Sequence, residues 1–148
     1  MPSSASHRLS ICMIVRNEAR LLERCLASAS PVADEIVVVD TGSTDGSQEV
    51  ARRAGAKVVE VPWRDDFSFA RNHSLDHATG DWILWLDADD VVPPGSVAPL
   101  IDLKRESANR VFAFTVRNEK PGGTLQYQIN DSILPKDAID DEIKNIIQ

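Results

Sequence analysis

The apolar run Trp82-Ile83-Leu84-Trp85-Leu86 ends in three carboxylates within four positions, Asp87-Ala88-Asp89-Asp90. A short, continuous apolar run is the pattern of a strand buried on both faces, so the carboxylates stand where it leaves the sheet. Like charges packed this closely repel and raise one another's pKa unless a cation neutralises them. Hard oxygen ligands suit Mg²⁺ or Mn²⁺, and such ions in turn hold phosphates. The stretch therefore reads first as a divalent-metal site for a phosphorylated substrate.

The rest of the chain alternates strand and helix patterns. Leu9 to Val15 reads as a first strand, and Glu18 to Ala29 carries Leu21, Leu22, Cys25 and Leu26 at helical spacing. Glu35 to Val39 is short and β-branched, a central parallel strand by type. After the polar loop Asp40 to Gly46, the Asp45/Gln48 spacing predicts a capping box for a helix to about Ala54, with Gly55 as its C′ residue. Lys57 to Val61 is a third strand, Asp66 to Ala78 a helix closed by Gly80, and Asp81 to Leu86 the fourth strand. Pro93-Pro94-Gly95 leads into a helix over about Ser96 to Arg105, and Arg110 to Arg117 alternates as a fifth strand. The sum predicts an α/β fold: a doubly wound, mostly parallel sheet with flanking helices. Ligands of such sheets sit at the carboxyl ends of strands, where Asn17-Glu18, Asp40-Thr41-Gly42-Ser43 and Asp87-Ala88-Asp89 all fall.

At 148 residues the chain suffices for one domain with a core, and a net charge of −7 argues against a nucleic-acid partner, which needs a basic face. Cys12 and Cys25 have no zinc-ligand spacing and read as buried, reduced thiols. His73 and His77 are spaced i, i+4, but without an HExxH glutamate they read as a surface or packed pair rather than a zinc site.

Asp89 is the direct metal ligand of the first choice. Asp87 joins it through water or holds a ribose hydroxyl, and Asp90 orients the others or caps the next helix. An acidic turn in solvent is the plain alternative. A phosphohydrolase DxDx(T/V) motif is a lesser one, because that motif closes the first strand of its fold and no later GDxxxD pair is visible. Gly42 and Gly46 allow close backbone approach, and the nearby hydroxyls suit free helix N–H groups. No G-x-G-x-x-G is present, which argues against a nicotinamide cofactor. Arg16 is placed to stack on a flat base, with Glu18 otherwise complementing a helix N-terminus. Arg71 reads either as a diphosphate contact or as a partner of Asp65, Asp66 or the acidic triplet.

In this order, Ser10 to Glu18, Val39 to Asp45, Trp63 to Asn72 and Gly80 to Asp90 resemble the inverting family 2 glycosyltransferases of the GT-A fold, over roughly residues 8–118. The likeness is to the subgroup that opens with a strand and then Val-Arg-Asn-Glu. It implies a nucleotide-diphosphate sugar donor, UDP-linked by preference, with Val15, Arg16, Glu18 and Asp40 around base and ribose. It places Arg71 and Asn72 near the diphosphate, and it makes Asp87-Ala88-Asp89 the DxD-type motif with Mn²⁺ or Mg²⁺ on Asp89 and Asp87. Many relatives carry a second acidic residue where this chain has Thr41. A hexosyltransferase-type activity is implied, by single displacement onto a hydroxyl of a saccharide, lipid-linked or protein acceptor, as in cell-envelope polysaccharide synthesis. A nucleotide-sugar-binding module without transfer is the alternative.

In the family, the general base comes from an acceptor-side half after the fifth strand. No matching acidic pair or His-Glu motif follows Gly123, so the catalytic base is not assigned. All eleven arginines precede residue 118, whereas residues 129–148 hold six isoleucines. Residues 1–8 are therefore expected to be a disordered N-terminus, 9–123 the nucleotide-sugar-binding domain, and 124–148 an atypical tail. The spacing of Ile139, Ile143, Ile146 and Ile147 predicts an amphipathic helix there, either docked on the sheet or foreign to the domain. With no signal peptide and no apolar run near the ~18 residues of a membrane span, a cytoplasmic location is expected, at most peripheral to the inner face of the membrane.

Overall fold

A computed structural model describes residues 7–104, 112–119 and 125–135. The elements in order are β1 (Leu9–Val15), α1 (Ala19–Ala29), β2 (Glu35–Asp40), α2 (Ser47–Arg53), β3 (Lys57–Glu60) and α3 (Phe67–His77). They are followed by β4 (Trp82–Trp85), β5 (Asp90–Val91), α4 (Pro94–Leu103), β6 (Phe112–Glu119) and β7 (Leu125–Pro135). One seven-stranded sheet has the order β3-β2-β1-β4-β7-β6-β5. The four strands β3, β2, β1 and β4 are mutually parallel, and the rest pair antiparallel. The doubly wound parallel sheet with flanking helices is thus present in its first four strands.

Burial on both faces explains the continuous apolar strands. In β1, Leu9, Ile11, Met13 and Val15 pack on one face with Leu22, Cys25, Leu26 and Ala29 of α1, Ile36 and Val38 of β2, and Trp82 and Leu84 of β4. On the other face Cys12 joins Val37, Ile83 and Trp85 with Leu75 of α3, and Val39 and Ile14 meet Ala70 of α3. Both cysteines are buried.

Local sequence chemistry sets most ends. Asp66 caps α3, its carboxylate accepting from the Ser68 N–H at 2.9 Å. Gly55 follows α2 with φ 86°, the left-handed C′ conformation that glycine adopts without a Cβ clash. Gly80 stands there for close approach instead of closing α3: an added Cβ would lie 2.5 Å from Ser10 Oγ. The capping box does not form. Gly46 is the N-cap of α2, and Gln48 turns its amide to Asp40 Oδ1 at 3.1 Å and the Ser43 carbonyl at 2.9 Å. The buried Asp40 carboxylate needs donors and the Gln48 N–H₂ supplies one, which commits a side chain whose carbonyl a capping box would turn back to a backbone N–H.

The antiparallel half departs from the alternating pattern. The fifth predicted strand is β6, and it pairs antiparallel with β7 and β5. β7 is not among the strands expected from the sequence, although Leu125, Tyr127 and Ile129 alternate with Gln126, Gln128 and Asn130 in the pattern of a strand. β7 inserts beside β4 with Leu84 opposite Ile133, which neither local periodicity nor composition encodes. The helix expected around 137–147 lies outside the described residues.

Candidate functional site

The chain builds β1, β2 and β3 outward in one direction and then returns to place β4 on the other side of β1. The strand order therefore reverses between β1 and β4, and a crevice opens at the carboxyl ends there. Val15 is opposite Asp40 in register, while Cys12 is opposite Trp85, so β4 ends lower than β1. Leu86 still donates its N–H to the Cys12 carbonyl at 3.2 Å, and the acidic turn begins beneath the end of β1.

Two loops frame this crevice and are sewn to each other. The Asn17 N–H donates to Ser43 Oγ at 2.8 Å and the Thr44 N–H to Asn17 Oδ1 at 2.7 Å. The Glu18 N–H donates to Ser47 Oγ at 3.0 Å and the Ala19 N–H to Asp45 Oδ2 at 3.0 Å. The small polar loop after β2 thus satisfies the free amides at the start of α1. The Ser47 hydroxyl, which donates to Asp45 Oδ1 at 2.6 Å, and the Ala19 N–H together lower the Asp45 pKa. At the root of the loop, Asp40 is 1% exposed. Its Oδ1 accepts from the N–H groups of Gly42 and Ser43 at 3.0 and 2.8 Å, while its Oδ2 is buried without a hydrogen-bond partner.

Asp87, Asp89 and Asp90 bring one carboxylate oxygen each within 4.8 Å of the others, the one such group of potential metal ligands among the described residues. Asp90 is buried, and its Oδ2 accepts from the Asp87 N–H at 2.8 Å, which braces the turn. It does not cap α4, whose N-cap is Pro93. Burial, opposed by that hydrogen bond and reinforced by the charges of Asp87 and Asp89, pushes the Asp90 pKa up to about 6. Burial and Asp89 also raise Asp87, against the lowering effect of Arg71. Glu18 joins from the β1 side, raised by burial first and then by Asp89, Asp45 and Asp87. Beneath the turn, Cys25 Sγ lies 3.4 Å from the Asp87 carbonyl, and burial together with the nearby carboxylates pushes its thiol up to about 12.

A cleft of about 450 Å³ opens over this cluster. Asp87, Ala88 and Asp89 line one side, Ile14, Arg16, Glu18 and Thr41 come from the β1 and β2 ends, and Trp63 and Phe67 form the remaining wall. Of the residues expected from sequence, Arg16, Glu18, Asp87, Ala88 and Asp89 meet around one space. Val15 and Asp40 stand behind it: the Val15 carbonyl accepts from the Thr41 N–H at 3.0 Å, so Thr41, not Asp40, faces the cleft. Arg71 and Asn72 of α3 are also outside its lining; the Arg71 guanidinium lies 5.1 Å from the centre of the Trp85 ring, and its charge reaches Asp87. His73 packs edge-on against Phe69, and its carbonyl lies 2.8 Å from His77 Nδ1, so the pair is packed as helix neighbours. Trp63 and Phe67 are not among the site residues expected from the sequence; their signal is two aromatics flanking the polar turn Arg64-Asp65-Asp66 just before a helix.

The model of the glycosyl transferase family 2 matches residues 10–147. A TPR repeat-containing protein of Synechococcus elongatus is 55% identical over 126 residues, which cover 84% of this chain and 30% of that protein. The SPbeta prophage-derived glycosyltransferase SunS of Bacillus subtilis is 35% identical over 81 residues, or 53% of this chain and 19% of SunS. Among solved structures, Mycobacterium tuberculosis glucosyl-3-phosphoglycerate synthase in complex with Mn²⁺, UDP and phosphoglyceric acid superposes with a TM-score of 0.59 at 28% identity, covering 73% of this chain and 43% of that one. The same enzyme with Mg²⁺ and UDP gives 0.55 at 31% identity, over 65% and 38%. The chain spans less than half the length of each of these relatives.

Proposed function

Because this chain belongs to the glycosyl transferase family 2, we propose that its cleft binds a nucleotide-diphosphate sugar, with UDP as the nucleotide, and serves transfer of the sugar to an acceptor hydroxyl. The observation that carries this reading is the convergence of Asp87, Asp89 and Asp90 at the strand-order reversal, with Glu18 facing them. An all-oxygen donor set whose members raise one another's pKa fits a hard divalent cation. The buried Asp90 Oδ1, which has no hydrogen-bond partner, points to the same conclusion. Asp89 and Asp87 are the residues that would hold Mn²⁺ or Mg²⁺, and Asp90 braces the turn. When bound, the ion supplies Lewis-acid stabilisation of the charge on a departing diphosphate. The Mycobacterium tuberculosis synthase, solved with Mn²⁺ or Mg²⁺ and UDP, supports that choice of ion and nucleotide.

In the displacement, the acceptor oxygen bonds to the anomeric carbon as the bond from that carbon to the diphosphate oxygen breaks, with inversion; the hydroxyl proton passes to a general base, and the nucleoside diphosphate leaves with the electron pair. The loop around Val15–Glu18, together with Thr41, holds the nucleoside. Asp40 acts indirectly, by fixing the loop that carries Thr41. Arg71, whose charge already reaches Asp87, adds positive potential where the diphosphate gains charge. Titration calorimetry of UDP with and without Mn²⁺ tests the reading. Wild type is expected to bind UDP more tightly with Mn²⁺, and Asp89→Ala to lose that increment. A folded wild type with no affinity for UDP in the presence of Mn²⁺ would refute it, whereas UDP binding without turnover on any acceptor identifies a binding module.

A further inference from the structure

The aromatic wall of the cleft has no part in the displacement, and we infer that Trp63 and Phe67 form the stacking platform for the base of the donor nucleotide; this rests on the reading that the cleft takes a nucleoside diphosphate. Phe67 is 56% exposed, the most exposed large apolar side chain among the described residues, yet it is held in a defined place. It is the first residue of α3, behind the Asp66 cap, and its ring meets the Trp63 ring edge-on at 5.0 Å. The Trp63 indole N–H is tied to Asp65 Oδ1 at 2.7 Å, and Asp65 takes a left-handed φ of 55° to offer it. The turn therefore orders two aromatic surfaces and consumes their polar edge. A wall with no hydrogen-bond donor to spare suits the flat face of a base better than the hydroxyls of a sugar.

Position points the same way. Trp63 follows β3 and the acidic turn follows β4, and β2 and β1 lie between. Three inter-strand steps of about 4.8 Å separate the two exits by roughly 14 Å. That is the reach of a nucleoside diphosphate anchored at Asp89, and it is too far for the transferred sugar, which hangs from the distal phosphate. Arg16 lines the same cleft from the end of β1, so its planar guanidinium is available to the other face of the base.

Binding of three probes in the presence of Mn²⁺ tests the inference: UDP, inorganic diphosphate and UDP-glucose, each titrated into wild type, Trp63→Ala, Phe67→Ala and Trp63→Phe. Loss of one base–aromatic stack weakens binding by about 5- to 150-fold. Trp63→Ala is expected to weaken UDP within that range, Phe67→Ala to weaken it less, and both to leave inorganic diphosphate within twofold of wild type. Trp63→Phe is expected to restore most UDP affinity. Because Phe67 is exposed, its variant keeps the wild-type melting temperature and stands as the control should Trp63→Ala unfold. Three results overturn the inference while sparing the proposed function: UDP affinity unchanged in both alanine variants, equal loss of UDP and inorganic diphosphate, or weakening confined to UDP-glucose. A wild type that binds neither UDP nor diphosphate overturns the function and the inference together.

Discussion

Glu35, at the start of β2, ties three parts of the parallel sheet together through one carboxylate. Its Oε2 accepts from Ser10 Oγ of β1 at 2.6 Å and from the Thr79 N–H and hydroxyl ahead of β4 at 2.7 and 3.2 Å. Its Oε1 accepts from Lys57 Nζ of β3 at 3.1 Å. Burial alone would raise its pKa; the bonds from Ser10, Thr79 and Lys57 outweigh that and hold it at about 2, against an ordinary 4.5. A lowering of that size corresponds to roughly 3 kcal/mol at neutral pH. The side chain is only 11% exposed, so screening removes little of this, but Lys57 is 47% exposed and its share is small. Glu35→Gln keeps the shape, loses the charge and turns an amide N–H₂ toward one set of donors, so a loss of about 2–3 kcal/mol is expected at pH 7. The sign follows from the depressed pKa: the stabilisation is complete above about pH 4.5, declines as pH falls, and is gone once pH passes below about 2. Urea unfolding of both proteins at pH 7, 4.5 and 2.5 reads this directly. A difference below 0.5 kcal/mol at pH 7, or one of constant size down to pH 2.5, refutes the assignment of the bond energy to the ionised form.

Three further outcomes are expected. Gly80→Ala places a Cβ 2.5 Å from Ser10 Oγ and 2.7 Å from Ser10 N, inside the β1–β4 junction, and should cost about 1–3 kcal/mol in urea unfolding through strain. Asp66→Ala removes the carboxylate that accepts from the Ser68 N–H and should cost about 1 kcal/mol, whereas Asp66→Asn should cost less. Cys25, buried and with its thiol pushed up to about 12, should not react with Ellman's reagent at pH 8 in the folded protein and should react in urea; a native reaction at the rate of the unfolded chain would contradict its burial.

The legible parts of the chain are those whose signals are local. The β-branched run at Ile36–Val39 and the helical spacing of Leu22, Cys25 and Leu26 each produce the element they predict, because the period of burial is written in consecutive residues. The acidic turn is legible for the same reason, since its charges are neighbours in sequence before they are neighbours in space. Gln48 shows where this fails: its spacing from Asp45 fits a capping box, but the buried Asp40 carboxylate takes its amide instead. β5, at two residues, is too short to carry a period, and β7 is placed by pairing with β4 about fifty residues earlier in the chain.

By itself, the sequence determined the parallel α/β half, the burial of both cysteines and the acidic cluster at the exit of β4. Only the tertiary structure decided which groups share the cleft. It turned Asp40 inward and set Thr41 in its place, moved Arg71 onto Trp85, and brought Trp63 and Phe67 from beyond β3 to face Asp89. The physical reason is that strand order is a non-local choice. Hydrophobic periodicity says that a strand is buried, but which strands become neighbours, and which loops therefore meet above them, depends on packing the whole sheet at once.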